Sequence, residues 1–170
     1  MPQSRRWMLV PSPRHEQREQ MLACIATLAL EGPVLVLDGD MLFNVYKVVM
    51  AAHGQTRILN HIRFARAFTC YQMVTLLEHT PAEEACVVVL DLLSTFQDEN
   101  VTVSERIRLL KTCLPHLTRL SRARGALVSV GLPESMPPES RPLFHLLEEE
   151  AAQVYEWQAP VLPERTPRLF

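Results

Sequence analysis

A single stretch, Cys86–Phe96 with the sequence CVVVLDLLSTF, limits the possible folds of this chain most strongly. It opens with an unbroken apolar run that ends at Leu90, and Asp91 follows. A short run of this kind is typical of a strand buried on both faces of a parallel sheet. An acid at the carboxyl end of such a strand lies where open α/β sheets bind ligands, and in phosphate-handling folds it commonly holds Mg²⁺. Taken alone, the residue is equally explained as a cap on the next turn.

Strand-like apolar runs alternate with segments of helical periodicity along the chain. The predicted strands are Trp7–Val10, Val34–Leu37, Ile62–Phe68, the run before Asp91, Ala126–Val130 and Ala152–Trp157. The predicted helices are Glu16–Leu30, Met41–Ala52, Thr69–His79, a long one from Ser104 to Gly125 with Pro115 inside it, and Leu143–Glu150.

This alternation predicts an α/β fold of three layers, with a mostly parallel β-sheet, helices on both faces and right-handed crossovers. We expect a single core domain over residues 1–159 and an extended tail over residues 160–170, where prolines replace periodicity.

The composition limits the classes of function that this chain could have. Lys and Arg number 17 against 19 Asp and Glu, and this balance argues against a dedicated nucleic-acid coat. No apolar run approaches the roughly 20 residues of a membrane span, so no membrane partner is expected. The four cysteines are widely spaced in apolar surroundings, which favours reduced core residues and a cytoplasmic protein.

A second acidic pair follows the strand Val34–Leu37, where the sequence reads Asp38-Gly39-Asp40. Two carboxylates at a strand end could hold a metal or orient a water molecule, and Asp91 together with Asp38 is the metal pair that the pattern suggests. The same residues could form only a turn, since Asp-Gly is a strong turn former.

Four segments in order resemble the ATPase core of RecA-family recombinases, most closely the RadA-like branch. They are VLVLDGDMLFNVYKVV, IRFARAFTCYQMVTLLE, CVVVLDLLSTF and SERIRLLKTCLPHLTRLSRARGALVSVGLP, within roughly residues 7 to 133. The resemblance implies a RecA-like P-loop NTPase fold, with Asp91 at the Walker B acid. It also places Asp40 near the family's catalytic glutamate, one methylene shorter.

The chain departs from this family where phosphates would bind. A phosphate-binding loop needs G-x-x-x-x-G-K-[ST], but the corresponding stretch PSPRHEQREQ has neither glycine nor lysine. Arg14 and His15 near a helix start could still bind an anion, or could lie in a solvated turn. After the fifth strand, Val130-Gly131 stands where the family carries a side-chain amide. We therefore expect a pseudo-ATPase that needs no cofactor, with Asp40 and Asp91 as catalytic vestiges.

Residues for DNA or protein partners are sparse. The loop Gln97–Asn100 is acidic, so Arg141 and a stacking Phe144 are the candidate DNA contacts. The basic residues Lys111, Arg119, Arg122 and Arg124 are explained as a solvated helix face. The chain ends in Arg168-Leu169-Phe170, which could enter a partner's groove or be simply disordered.

Two functions remain as hypotheses. The first is a non-catalytic RecA/RadA-like paralogue that assists DNA recombination or repair by binding a RecA-family ATPase, another recombination protein or DNA. The alternative is a residual nucleotide-binding protein or Mg²⁺-dependent ATPase or phosphohydrolase that uses Asp38, Asp40 and Asp91 with ATP and Mg²⁺.

Overall fold

A computed structural model describes residues 7–156. Its strands are β1 (Trp7–Pro13), β2 (Val34–Asp38), β3 (Ile62–Arg66), β4 (Cys86–Leu90), β5 (Ala126–Leu132) and β6 (Gln153–Val154). Its α-helices are α1 (Arg14–Glu31), α2 (Val45–Ala51), α3 (Cys70–His79), α4 (Val103–Leu120) and α5 (Arg141–Glu150). Two 3₁₀ helices, Thr56–His61 and Leu92–Phe96, complete the described elements.

The six strands form one sheet in the order β3-β2-β4-β5-β1-β6, and every pairing is parallel. One face packs against α1, α2 and the first 3₁₀ helix, and the other packs against α3, α4 and α5. The central strand β4 is buried on both faces, as its apolar sequence indicates. The predicted three-layer α/β fold is therefore confirmed, and the sheet is wholly parallel within the described residues.

Strand β1 runs directly into helix α1, which corrects the prediction of a solvated turn after Val10. Pro11, Ser12 and Pro13 continue the strand, each in register with a residue of β5, and α1 begins at Arg14. Proline is compatible with this arrangement because it adopts extended backbone and suits a strand edge that has no pairing partner. The connection between β1 and α1 therefore contains no loop.

The pairing on the outer side of β1 explains why this strand can contain two prolines. The carbonyls of Trp7 and Leu9 accept hydrogen bonds from the segment around β6, at 3.0 and 2.8 Å. Because backbone groups alternate sides along a strand, Pro11 and Pro13 face the same way, beyond the end of β6. Neither has an N–H, so this part of the edge offers no donor.

Other element boundaries differ from the predicted ones, because side chains there cap the backbone or are buried. Helix α2 begins at Val45 rather than Met41, because Asn44 caps it and the residues before it form a turn around Asp38. Helix α4 is capped by Thr102, whose hydroxyl accepts from Glu105 N–H, and not by Ser104. The predicted loop after Asp91 begins with a 3₁₀ helix instead, since its apolar residues are buried.

Candidate functional site

The side chain of Asp91 lies at the carboxyl end of β4 and is 2% exposed. Its Oδ2 accepts a hydrogen bond from Gln17 Nε2 at 3.1 Å, and its Oδ1 accepts one from the backbone N–H of Gly131 at 3.3 Å. Ser129 Oγ donates to Gln17 Oε1 at 2.8 Å and accepts from the Asp91 backbone N–H at 2.9 Å. These bonds join α1, β4 and β5 in one buried network, which we call the Gln17–Asp91 network (Gln17, Asp91, Ser129 and Gly131).

Asp91 combines an unusual backbone conformation with a raised side-chain pKa. Its backbone has a φ of 45° and a ψ of 65°, the left-handed region that Asp tolerates better than most residues. Burial raises the pKa of its carboxyl from 3.8 to about 6, although the hydrogen bonds from Gln17 and Gly131 act in the opposite direction. Asp40 raises this pKa slightly, and Arg14 lowers it.

Asp38, at the end of the neighbouring strand β2, is fully buried and holds the following turn. Its Oδ1 accepts from the backbone N–H groups of Asp40 and Leu42, at 3.0 and 3.1 Å. Its Oδ2 accepts from Phe43 N–H at 2.8 Å and from Arg66 Nε at 3.3 Å. With donors from the turn and from β3 on both oxygens, this carboxylate has a structural role.

The three aspartates do not offer a shared set of metal ligands. Asp40 is half-buried and accepts a hydrogen bond from Ser94 Oγ at 3.0 Å. Within residues 7–156, no group of three or more His, Cys, Asp and Glu side chains could hold a metal ion. The oxygens of Asp38 and Asp91 already accept hydrogen bonds from the protein. They therefore suit Mg²⁺ poorly, because that ion needs near-octahedral oxygen ligands. The metal site at Asp91 and Asp38 stays a prediction, with this geometry against it.

Arg14, His15 and Phe144, predicted for separate ligands, line one open cavity of about 700 Å³. Glu134 and Glu156 line it too, so its charge is mixed. Arg14 also lines a second cavity of about 130 Å³ that reaches Asp91. The anion-binding and stacking roles remain predictions.

The other predicted contact residues are on helices α4 and α5 or outside residues 7–156. Arg141 is exposed at the start of α5. Arg119, taken with the solvated basic face, donates instead to the carbonyls of Leu77 and Thr80, at 2.8 and 2.9 Å, and so caps the end of α3. Arg168, Leu169 and Phe170 lie outside the described residues.

Sequence reasoning missed Gln17 and Ser129, whereas the support that Arg66 gives to a neighbouring acid follows from its place in the ARAF segment. Gln17 is fully buried, yet it stands in a polar stretch between Glu16 and Arg18. The available signal was helical spacing, since Gln17 lies four residues before the buried Met21.

Neither protein-family models nor curated proteins match this sequence. Among residues 7–156, no helix combines the length and the apolar character needed to cross a membrane.

Proposed function

We propose that the chain is a non-catalytic RecA/RadA-like paralogue that assists DNA recombination or repair through protein contacts, and that DNA contacts are a further possibility. The proposal rests on the four-segment resemblance, on the α/β fold and on one observation about the site. That observation is that a side chain of the protein itself, Gln17, donates a hydrogen bond to Asp91, the acid to which the resemblance assigns the metal.

The Gln17–Asp91 network carries this argument. A phosphate cradle requires a loop whose backbone N–H groups converge on the anion, and β1 passes into α1 without such a loop. Gln17 projects from the first turns of α1 and donates to Asp91. The acid that would hold Mg²⁺ is thus bound internally. ATP and Mg²⁺ do not fit this arrangement, and we assign them no step.

Exposed apolar side chains support a role in protein contacts. Met41, Tyr46 and Met50 are 59%, 72% and 58% exposed around helix α2. Contiguous apolar groups on a protein surface commonly mark interaction sites. The free cysteines Cys24, Cys70, Cys86 and Cys113 agree with the proposed cytoplasmic location.

The first test is a calorimetric titration with Mg-ATP, with and without single-stranded DNA. We expect no heat of binding and no ATP turnover in either case. ATP turnover that Asp91→Asn abolishes would overturn the proposal and establish the phosphohydrolase alternative. An unchanged low turnover in Asp91→Asn would indicate a contaminating ATPase.

The second test examines the partner. A purified RecA-family recombinase from the same organism should co-purify with the chain, and its strand-exchange yield should change. Tyr46→Glu should weaken this association, whereas Glu31→Gln, at the exposed end of α1, serves as a matched surface control. No association and no effect on strand exchange would remove the basis for an accessory role.

A further inference from the structure

Strand β3 forms one edge of the sheet, and within the described residues it pairs only with β2. The N–H of Ala67 donates to the carbonyl of Asp38 at 3.0 Å, on the β2 side. Because backbone groups alternate along a strand, the odd-numbered residues of β3 face β2 and the even-numbered residues turn outward. The outer side of β3 is therefore available for another strand.

The chain itself uses the outward donors at both ends of this edge. The N–H of Ile62 donates to the preceding 3₁₀ helix, and the N–H of Phe68 donates to Gln72 Oε1 at 2.8 Å. The N–H groups of Phe64 and Arg66 lie between them and face outward. The free part of the edge is thus short and centred on Ala65.

The side chains of β3 do little to repel a second strand. Edge strands are commonly protected by charged residues. Here Arg66 pairs with Asp38, and Arg63 pairs with Glu83. Phe64 remains 48% exposed, with the Arg66 guanidinium 5.3 Å from its ring centroid.

We propose that β3 pairs antiparallel with β3 of a second copy of this chain, about a two-fold axis through Ala65. In this register the N–H of Phe64 donates to the carbonyl of Arg66 in the second copy. The N–H of Arg66 donates to the carbonyl of Phe64 there, and symmetry repeats both bonds. All the free outward donors of both strands are then used.

The side chains are complementary in the same register. Phe64 lies opposite Arg66 of the second copy on the same face, so the cation–π contact within each chain is repeated between chains. On the other face Ala65 meets its own equivalent, and two methyl groups fit at the axis. A register centred on Phe64 would pair all of Ile62–Arg66 and would use the same donors, but it would place Ile62 opposite Arg66 and would lose the contact between Phe64 and Arg66.

A cysteine at the axis tests the register directly. Ala65 and its equivalent would form a non-hydrogen-bonded pair. In such a pair the Cα atoms of the opposed residues lie about 4.5 Å apart, within the range that a disulfide spans. Ala65→Cys should therefore form a covalent dimer when the protein is treated with diamide. Arg63→Cys, on the same face but away from the axis, and the unaltered chain with its four cysteines are the controls. Equal cross-linking in all three would overturn the proposal.

A proline tests the hydrogen bonds separately. Phe64→Pro removes an outward N–H and leaves the pairing with β2 intact, because the Phe64 backbone does not face β2. Phe64→Ala removes the ring and keeps the N–H. Sedimentation should show a dimer Kd roughly tenfold or more higher for Phe64→Pro than for Phe64→Ala, since two of the four bonds are lost. An unaltered chain that sediments as a monomer at its highest soluble concentration would overturn the proposal, as would equal Kd values for two folded variants.

Discussion

Two aspartates end neighbouring strands of this sheet, both are buried, and they have opposite relations to their surroundings. Asp38 accepts hydrogen bonds from three backbone N–H groups and from Arg66. Asp91 accepts one from an amide side chain and one from a backbone N–H, and its pKa is raised to about 6. The position of an acid at a strand end therefore does not fix its role, which depends on the donors that the fold supplies.

Asp38 therefore has a structural role, whereas Asp91 is buried with few hydrogen-bond donors. Asp38 shapes the turn that leads into α2, and its removal would leave several donors without an acceptor. Asp91 is desolvated without enough donors to compensate, so its charged form reduces stability at neutral pH.

Asp38→Ala should have the largest effect. The change removes the acceptor of three backbone N–H groups, two of them buried, and one of the two acceptors of the Arg66 guanidinium. It should lower the free energy of unfolding by about 3–5 kcal/mol. Urea unfolding at pH 7 measures this loss. Asp40→Asn, which affects one hydrogen bond from Ser94 in a half-buried position, should cost less than about 1 kcal/mol. Equal losses in the two variants would contradict a structural role specific to Asp38.

Gly131→Ala should have an intermediate effect, because it disturbs only the surroundings of Asp91. A Cβ at this position would lie 2.6 Å from Gln17 Nε2 and 3.1 Å from Asp91 Oδ2, and both of these side chains are buried. We expect a loss of about 1–3 kcal/mol in urea unfolding.

Gly32→Ala is the matched control for this substitution. Its Cβ would also approach an atom at 2.6 Å, but that atom is Arg124 Nη1, at the end of an exposed and flexible side chain. The Gly32 φ of 169° is extended backbone that alanine also adopts. A loss at Gly32 as large as at Gly131 would show that crowding alone, and not the buried network, determines the cost.

Asp91→Asn should have a smaller net effect than Asp38→Ala and Gly131→Ala, and in the opposite direction. Because the folded-state pKa lies above the ordinary value, the carboxyl's contribution to stability is present below about pH 4 and is lost as the pH rises towards about 6. The ionised form then costs at most about 3 kcal/mol, and lost hydrogen bonds offset part of any gain from neutralising it.

Urea midpoints between pH 4 and pH 7 test this prediction. At pH 7 the Asn variant should be more stable than the unaltered chain by about 1 kcal/mol. The difference should shrink or reverse near pH 4, where Asp91 is protonated in the folded protein. If the stability of the variant depends on pH between about 4 and 6 as strongly as that of the unaltered chain, another group causes this dependence.

The strands were predictable because an apolar run is a local signal. Val87–Leu90 alone specified a strand buried on both faces, and the alternation of strands and helices specified a parallel sheet. Asp38 and Asp91 were correctly expected at strand ends, since chain order fixes which end of a parallel strand they follow. Boundaries were less accurate at the turn after Asp38, because hydrogen bonds to that carboxylate compete there with helix formation.

The Gln17–Asp91 network could not be predicted, because its members are far apart in the sequence. Gln17 is 74 residues from Asp91 and 112 residues from Ser129. The helical spacing from Met21 indicates that Gln17 is buried, but it identifies neither Asp91 nor Ser129 as its partner. Only the packing of α1 over the sheet brings its amide to the end of β4.

The two prolines of β1 have a consequence for assembly. A sheet with two open edges can add copies at both sides and grow into a fibre, because head-to-tail contacts need not close. Pro11 and Pro13 remove the donors from the outer side of β1 beyond β6. If copies associate through β3 about a two-fold axis, both β3 edges are used. Within residues 7–156 the opposite edge offers only the two-residue strand β6 beside the prolines, so growth by strand pairing stops at two subunits. The prolines that leave no room for a phosphate loop would thus also prevent polymerisation.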